Sequence, residues 1–523
     1  MTRTPSKPLT LVALLVASFM INLDTTLVNV ALPSLTRELG ASTSQLQWVV
    51  DAYNLVFAAL LLTSGSLSDR FGRKGMLLAG LTVFGVASFI GGYATTVGEL
   101  VAARAVMGLG AAMTFPATLS LLTATFRSRK ERALAIGLWG ATSGMAIALG
   151  PIVGGFLLGR YSWASVFITL GPASLAVVGV AAIAVPRGGY VAARRLDVPG
   201  LVVSAGFMGL LVYTIIEAPN RGWTSSVTSV GFAGSGILLA GFIAAERRAA
   251  FPMLDVRLFA NMRFSAASAS VTISFFTLSG FIFVITQFFQ FVRGYSALSA
   301  GVRLLPVAVA VALGSILGTR LAIKIGTKAI VAAGLLLQAV FYFWVASDIS
   351  PTFSYGIIAI QMVMYGLGMG LTSAPATESI MGAVSEDKAG VGSAVNDSTR
   401  LLGATLGVAV IGSVYASLYR SRLDSTLGDA LPRSVTHVVR DSIGGAYGAV
   451  HQLGLNGQTT SANLVHHAAT SAFDHGVAIG CVVAGAVALA GALLSSVFLP
   501  AQPPSAGIDA DHIAEPELAV AND

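Results

Sequence analysis

Three charged residues stand where charge is expensive. Asp24, Asp51 and Arg104 each lie inside an apolar run long enough to cross a bilayer, and a charged side chain there costs roughly 2.5–3.5 kcal/mol on insertion scales. Such residues usually face the interior of a helix bundle, pair with one another and mark ion or substrate pathways. Asp24 sits about nine residues from the outer end of its run, and Asp51 and Arg104 about six from theirs. At 1.5 Å per residue, all three fall roughly 9–14 Å below one membrane face. Burial disfavours a carboxylate's charge, and a nearby guanidinium favours it. A carboxyl group balanced between those influences can load and release a proton.

Helical faces sharpen the pattern. At 100° per residue, Gln47, Asp51 and Asn54 share a stripe of the second run, and Arg104, Gly108, Ala111 and Phe115 share one in the fourth. In the first run Asn22, Thr25, Thr26 and Asn29 form one stripe, and Asp24 points nearly the other way. That leaves a proton site set between helices, with the stripe closer to a substrate path. A purely structural Asp–Arg pair is the alternative reading.

The elements that must hold these residues follow from composition. The 523 residues are 55% hydrophobic and 11% charged, with mean hydropathy +0.79, whereas soluble domains are about 25% charged. Backbone groups in lipid must be satisfied within the segment, so spanning runs are helices. The fold class expected is an all-α polytopic membrane protein. Fourteen runs qualify, near 9–33, 46–67, 75–95, 99–125, 133–158, 164–186, 197–217, 226–245, 264–289, 299–322, 328–347, 353–377, 391–418 and 473–499. The first is too long for a signal-peptide core and no small-residue cleavage site follows it, so it is expected to be retained. The single cysteine, Cys481, rules out a disulfide framework. No nucleophile–base pair, metal-ligand spacing or nucleotide-binding glycine loop points to an enzyme. The net charge of +7 lies in short loops, so nucleic acid is not an expected partner.

With the N-terminus inside, inner segments carry 20 Lys and Arg against 8 outside, which predicts both ends cytoplasmic in a cell (inner) membrane. Residues 419–472 read as a long polar outer loop holding His437, His451, His466 and His467, with His475 just beyond. A metal or pH-sensing site there is conceivable, but the spacing matches no metal motif, and ordinary exposed polarity is preferred. Residues 500–523 hold five acids and no Lys or Arg, the mark of a disordered acidic tail.

An internal repeat is also legible. The segment Gly65-Ser66-Leu67-Ser68-Asp69-Arg70-Phe71-Gly72-Arg73-Lys74 follows the second run, and a weaker echo, Leu321-Ala322-Ile323-Lys324-Ile325-Gly326-Thr327-Lys328, follows the tenth. Parallel halves of six spans are a transporter architecture. The expected division is 1–190 for the first six-helix bundle, 191–260 for two additional helices, 261–499 for the second bundle and 500–523 for the tail.

With these residues in hand, the chain resembles the major facilitator superfamily, and within it the fourteen-span drug:proton antiporters of the EmrB/QacA type. Leu23 to Pro33 looks like that family's first-helix signature, and Gly65 to Lys74 matches its loop motif G-x-L-[AS]-D-R-x-G-R-K. Arg104 to Ala112 resembles its fourth-helix motif. Gly150-Pro151-Ile152-Val153-Gly154-Gly155, with Gly137 upstream, resembles its fifth-helix antiporter motif, although Ala146 stands where glycine is usual.

The resemblance implies proton-coupled efflux of lipophilic, cationic drugs by alternating access, with a proton gradient in place of any cofactor. Lipophilic small molecules, protons and the lipid bilayer are the implied partners. Asp24, Asp51 and Arg104 would couple protons, and Gly65, Asp69, Arg70, Gly72, Arg73 and Lys74 would gate. The fifth-helix glycines and Pro151 would gate or simply pack. Asn22, Thr25, Thr26, Asn29, Asn54, Phe115, Glu378, Asn396, Asp397 and Arg400 are candidates for the substrate path. A dedicated exporter of one metabolite, lipid or antibiotic is the rival. The ninth run is rich in phenylalanine (Phe275, Phe276, Phe281 and Phe283), and lipid-facing rings are its commoner explanation.

Overall fold

The computed structural model describes residues 6–126, 128–186, 197–249, 252–348, 354–384, 389–427 and 432–501, with side chains for all but 62, 65, 66, 69–71, 129, 130, 133, 143, 389–391, 433 and 434. The first six helices are α1 (Lys7–Leu39), α2 (Thr43–Phe71), α3 (Arg73–Gly91), α4 (Val97–Thr125), α5 (Arg129–Leu158) and α6 (Ala164–Ala184). Next come α7 (Val198–Arg221) and α8 (Ser226–Arg248). The remainder comprises α9 (Met262–Gln287, continued by a π-turn), α10 (Ala297–Arg303), α11 (Leu305–Ile325), α12 (Thr327–Asp348), α13 (Tyr355–Met381), α14 (Ala389–Leu427), α15 (Arg433–Asp441), α16 (Ile443–Leu455) and α17 (Thr459–Phe498). Among the described residues, 13 helical segments are long and apolar enough to span a membrane. The 29-residue α2 lies beside them, packed on α4 and α14. The helices start on ordinary signals. Ser42 with Gln45 and Thr96 with Glu99 form reciprocal capping boxes that satisfy the first free amides of α2 and α4.

Residues 419–472 are helical over most of their described length rather than a loop. The reason is an apolar stripe hidden in polar sequence. Leu423, Leu427, Val439, Ile443, Ala446, Leu453, Ala462 and Val465 are all buried, spaced so that short amphipathic helices cover the bundle's end.

The repeat is visible in backbone geometry. Gly72 joins α2 to α3 at φ 88°, ψ 128°, and Gly326 joins α11 to α12 at φ 99°, ψ 145°. Both angles belong to a region open essentially to glycine. Close approaches repeat too. A Cβ on Gly80 would meet the Gly110 oxygen at 2.8 Å, and one on Gly334 would meet the Gly368 oxygen at 2.6 Å. Likewise a Cβ on Gly108 would meet the Tyr53 oxygen at 2.5 Å, and one on Gly366 the Val307 oxygen at 2.6 Å. Gly150 and Gly154 pack on Leu23 and Leu27 of α1, as Gly403 and Gly407 pack on Thr272 and Phe276 of α9. Small residues let these backbones meet where no hydrophobic effect drives helices together.

Contacts between the helices before α7 and those after α8 gather at the end where α1 stops and α2 begins. There a Cβ on Gly155 would fall 2.5 Å from the Leu298 Cα, the Pro151 oxygen abuts Gly301, and Gln290 donates to the Val30 oxygen at 3.0 Å. At the opposite end of α5, a Cβ added to Gly137, Gly140 or Gly144 would meet nothing within 4 Å among the described residues, so these glycines face open space there.

Candidate functional site

Asp24 and Arg104 meet. Arg104 Nη1 donates to Asp24 Oδ2 at 2.5 Å, and both side chains are fully buried. Arg104 Nε donates to the Val49 oxygen at 2.9 Å, and its guanidinium lies 4.3 Å from the Tyr53 ring centre. Tyr53 in turn donates through its hydroxyl to the Ile21 oxygen at 3.3 Å. The cation is thus held by a carboxylate, a carbonyl and a ring from α1 and α2. Gly108, one turn along α4, lets the two helices come close enough for this grip. Asp24 Oδ1 is buried with no partner among the described residues, a state that costs about 1–3 kcal/mol or more for a charged group.

Asp51 does not join them. Arg104 grips α2 through Val49 and Tyr53, each two residues from Asp51, so Asp51 projects from the far side of that helix. Both its oxygens are buried without a partner among the described residues. Its own face is occupied by Gln47, whose amide donates to the Val408 and Ala409 oxygens (3.0 and 2.9 Å) and to Ser413 Oγ (3.2 Å) on antiparallel α14. One turn further along that seam lies Thr405, whose hydroxyl is also buried and unpartnered among the described residues. The three charges at one depth are therefore an ion pair plus a separate acid on the α2–α14 seam.

The first-helix stripe divides. Asn22 and Thr25 are half-buried, and Asn22 donates to the Ser18 oxygen at 2.8 Å, Thr25 to Asn22 at 2.7 Å and Asn29 to Thr25 at 2.9 Å. Thr26 instead turns into the contact with Gly150 of α5. Asn54 is buried on α2. Phe115 packs on Trp139 of α5 and on Phe57, with ring centres 5.0 and 5.9 Å apart. Sequence spacing gave no sign of Trp139 or of Tyr53, because each is placed by a neighbouring helix rather than by its own.

Around the junction of α2 and α3, Arg73 reaches the Ser120 oxygen at 3.4 Å and Lys74 the Ala182 oxygen at 2.7 Å. Two cations therefore tie the start of α3 to α4 and to the last turn of α6, where a helix C-terminus attracts positive charge. The side chains of Asp69 and Arg70, and position 65, lie outside the described set. In the fifth-helix motif, Gly150 and Gly154 pack on α1, Gly155 and Pro151 on α10, and Gly137 on none of the described residues.

In the second half, Asn396, Asp397 and Arg400 come together. Thr377 donates to Asn396 at 3.0 Å, Arg400 to Thr377 at 3.1 Å and Asn396 to Asp397 at 3.4 Å, and Arg400 lies 5.3 Å from the Phe275 ring centre. Glu378 is exposed and apart from this network. Phe276, Phe281 and Phe283 are buried inside the bundle and Phe275 is half-buried, so the lipid-facing expectation is corrected. They sit beside a neutral network that the sequence did not reveal. Thr277 donates to Gln338 at 2.8 Å, Gln338 to Ser274 at 3.2 Å and to Thr372 at 3.3 Å, and Thr277 meets Tyr365 at 3.1 Å. Among the histidines, His437 faces Asp441 at 3.2 Å and His466 lies against Tyr447 and His467. No group of three metal-ligating side chains is found among the described residues.

Comparison with known proteins agrees with this architecture. The family model of the Major Facilitator Superfamily matches residues 14–408. The multidrug resistance protein Stp of Mycobacterium tuberculosis is 35% identical over 442 residues, 83% of this chain and 81% of that one. The multidrug efflux pump LfrA of Mycolicibacterium smegmatis is 33% identical over 497 residues, 95% and 97% of the two chains. A bacterial homolog of the human lysosomal transporter Spinster, solved in an inward-facing and occupied conformation, superposes with a TM-score of 0.70 at 18% identity over 94% of this chain and 98% of that one, a likeness of fold. With a matching family model over most of its length and relatives above 30% identity, this integral membrane protein belongs to the Major Facilitator Superfamily.

Proposed function

We propose that the protein exports lipophilic, cationic compounds across the cell membrane in exchange for protons, with both chain ends on the cytoplasmic side. The observation that carries this reading is the buried Asp24–Arg104 pair with its unpartnered carboxylate oxygen. Protonation of Asp24 removes the charge that holds Arg104 Nη1, while Val49 and Tyr53 keep the rest of the guanidinium in place. The link from α1 to α4 is then weakened and the link from α2 to α4 kept, so a proton changes how α1 packs. Asp51, on the α2–α14 seam, can report a second proton where the two halves meet. The efflux names of the 33–35% identical relatives support export rather than uptake. The open end of α5 supports a resting form that admits substrate from the cytoplasm.

In this reading residues 1–190 and 261–499 move against each other and 191–260 supply α7 and α8 between them; the acidic segment 500–523 lies almost wholly outside the described residues. Asn22, Thr25, Asn29, Asn54 and Phe115 line the first half's side of the path, and Asn396, Asp397 and Arg400 line the second's. Everted vesicles carrying the protein should accumulate a dye or antibiotic when acidified inside, and should stop when a protonophore is added. Vesicles that accumulate nothing across a broad panel would refute export. Transport of a single chemotype would mark a dedicated exporter.

A further inference from the structure

Two acids that the transport reading leaves aside meet where the inserted helices join the second half. Asp197 caps α7 by accepting from the Gly200 amide at 2.8 Å through Oδ1, and its Oδ2 accepts from the Met253 amide at 3.4 Å. Glu246, in the last turn of α8, accepts from the Leu254 amide at 3.0 Å through Oε2. Both acids therefore grip the same short linker between α8 and α9. That linker also touches both sides of the molecule. Thr63 of α2 donates to Met253 Sδ at 3.0 Å, and Leu254 packs against the apolar cluster around Phe264 of α9.

Glu246 Oε1 is the anomaly. The residue is 3% exposed, and this oxygen is buried with no partner among the described residues. It is aimed at Asp197, because a Cβ on Gly200 would lie 2.5 Å from Glu246 Oε1 and 2.6 Å from Asp197 Oδ2. Two acceptors crowd one space with no donor between them among the described residues. Neither acid has an ion pair among the described residues. The charged neighbours on α8, Arg247 and Arg248, are exposed, and Asp255 of the linker accepts from the Arg257 amide at 3.2 Å. α2 presents Thr63, and α7 presents Asp197.

We propose that Asp197 and Glu246 bind one proton between them and that the proton-loaded pair holds the linker from α8 into α9. Bound to Glu246 Oε1, the proton donates to Asp197 Oδ2 and satisfies the orphaned atom, and Oε2 stays free to accept from Leu254. Losing it leaves two carboxylates in one confined site, which repel. The pair separates, and the Met253 and Leu254 amides lose their acceptors to water. The linker is thus fastened at low pH and released at high pH, independently of any substrate.

Hydrogen exchange on the full-length protein in lipid nanodiscs tests this, read at the Met253 and Leu254 amides from about pH 5.5 to about pH 8.5 after correction for intrinsic exchange. Protection should fall about tenfold across that range in the wild type, with an interior peptide of α17 unchanged as the control for global unfolding. Glu246→Gln keeps an acceptor for Leu254 and offers a permanent donor to Asp197, so its protection should be high and flat with pH. Asp197→Asn, with its amide nitrogen donating to Glu246 Oε1, should flatten the Leu254 profile in the same way, while Met253 loses its acceptor and exchanges faster at every pH. Flat wild-type protection, or a wild-type pH profile retained in both variants, would overturn the proposal. So would protection that follows added sodium or magnesium at constant pH, which would make the occupant a cation.

Discussion

Met362 on α13 occupies the place that Arg104 occupies on α4. Each stands four residues ahead of the glycine that lets its helix close on a neighbour, Gly108 on Tyr53 and Gly366 on Val307. The same contacts align Leu305 with Asp51, two residues before Val307 and Tyr53. Gly150 on Leu23 and Gly403 on Thr272 align Ile273 with Asp24. One half carries charge where the other carries carbon, and the second half's polar groups form the neutral Thr277–Gln338–Tyr365 network instead.

The second half therefore supplies replacements for the first. Arg104→Met alone strands a buried carboxylate and should cost about 3–5 kcal/mol. Adding Asp24→Ile removes the stranded charge and should recover most of that loss, because apolar residues replace buried ion pairs at little cost. Thermal unfolding in nanodiscs measures both. A double variant as unstable as Arg104→Met would contradict the prediction.

Among the described residues Asp51 has no cation to abandon. Asp51→Asn should change stability by less than about 1 kcal/mol, whereas Asp24→Asn takes the counter-charge from Arg104 and should cost about 3 kcal/mol. Unfolding midpoints for the two variants, measured side by side, decide it. The reverse order would mean that Asp51 has a charged partner.

Two glycine substitutions should diverge. A Cβ at Gly108 would sit 2.5 Å from the Tyr53 oxygen and 3.2 Å from Val56 Cβ, so Gly108→Ala must push α2 and α4 apart at a cost of about 1–3 kcal/mol. Gly137 has open space around it, and Gly137→Ala should gain roughly 0.5–1 kcal/mol from helix propensity. Melting temperatures that move together would refute the difference in packing.

How much of this was legible in the sequence depends on what set each position. Spans, the loop motif and the buried charges were readable because lipid punishes polarity residue by residue. Fold class followed from that alone. The partition of the charges was not readable, because depth along a helix says nothing about which neighbour a side chain meets. Asp24 and Arg104 met across helices while Asp51, at the same level, turned to α14. The helices of 419–472 were masked by polar residues surrounding a narrow apolar stripe. Thr26 looked like a member of the polar stripe, yet α5 approaches there and makes it a packing residue.

At the surface, Lys7 Nζ meets both Glu131 oxygens, at 3.1 and 2.9 Å, tying α1 to the start of α5. These hydrogen bonds from Lys7 hold the Glu131 carboxyl below its usual range. A lowered folded value means the contribution is present above the unfolded value, about 4.3 for Glu, and is lost as pH falls through the folded one. Lys7→Ala should therefore reduce the midpoint slightly at neutral pH and not at all in strong acid, with the difference fading in high salt. Melting curves across pH and salt check it, and a difference that persists in strong acid would exclude the ion pair as its cause.

In α5, Gly155 and Pro151 are stitched to α10, while Gly137, Gly140 and Gly144 lie bare of described neighbours toward the other end. Glycines at that spacing make a surface on which another helix backbone can seat. The same helix thus bears a fastened zip at one end and an open one at the other. A rocking motion that undid the first would leave the second as the seat for a neighbouring helix.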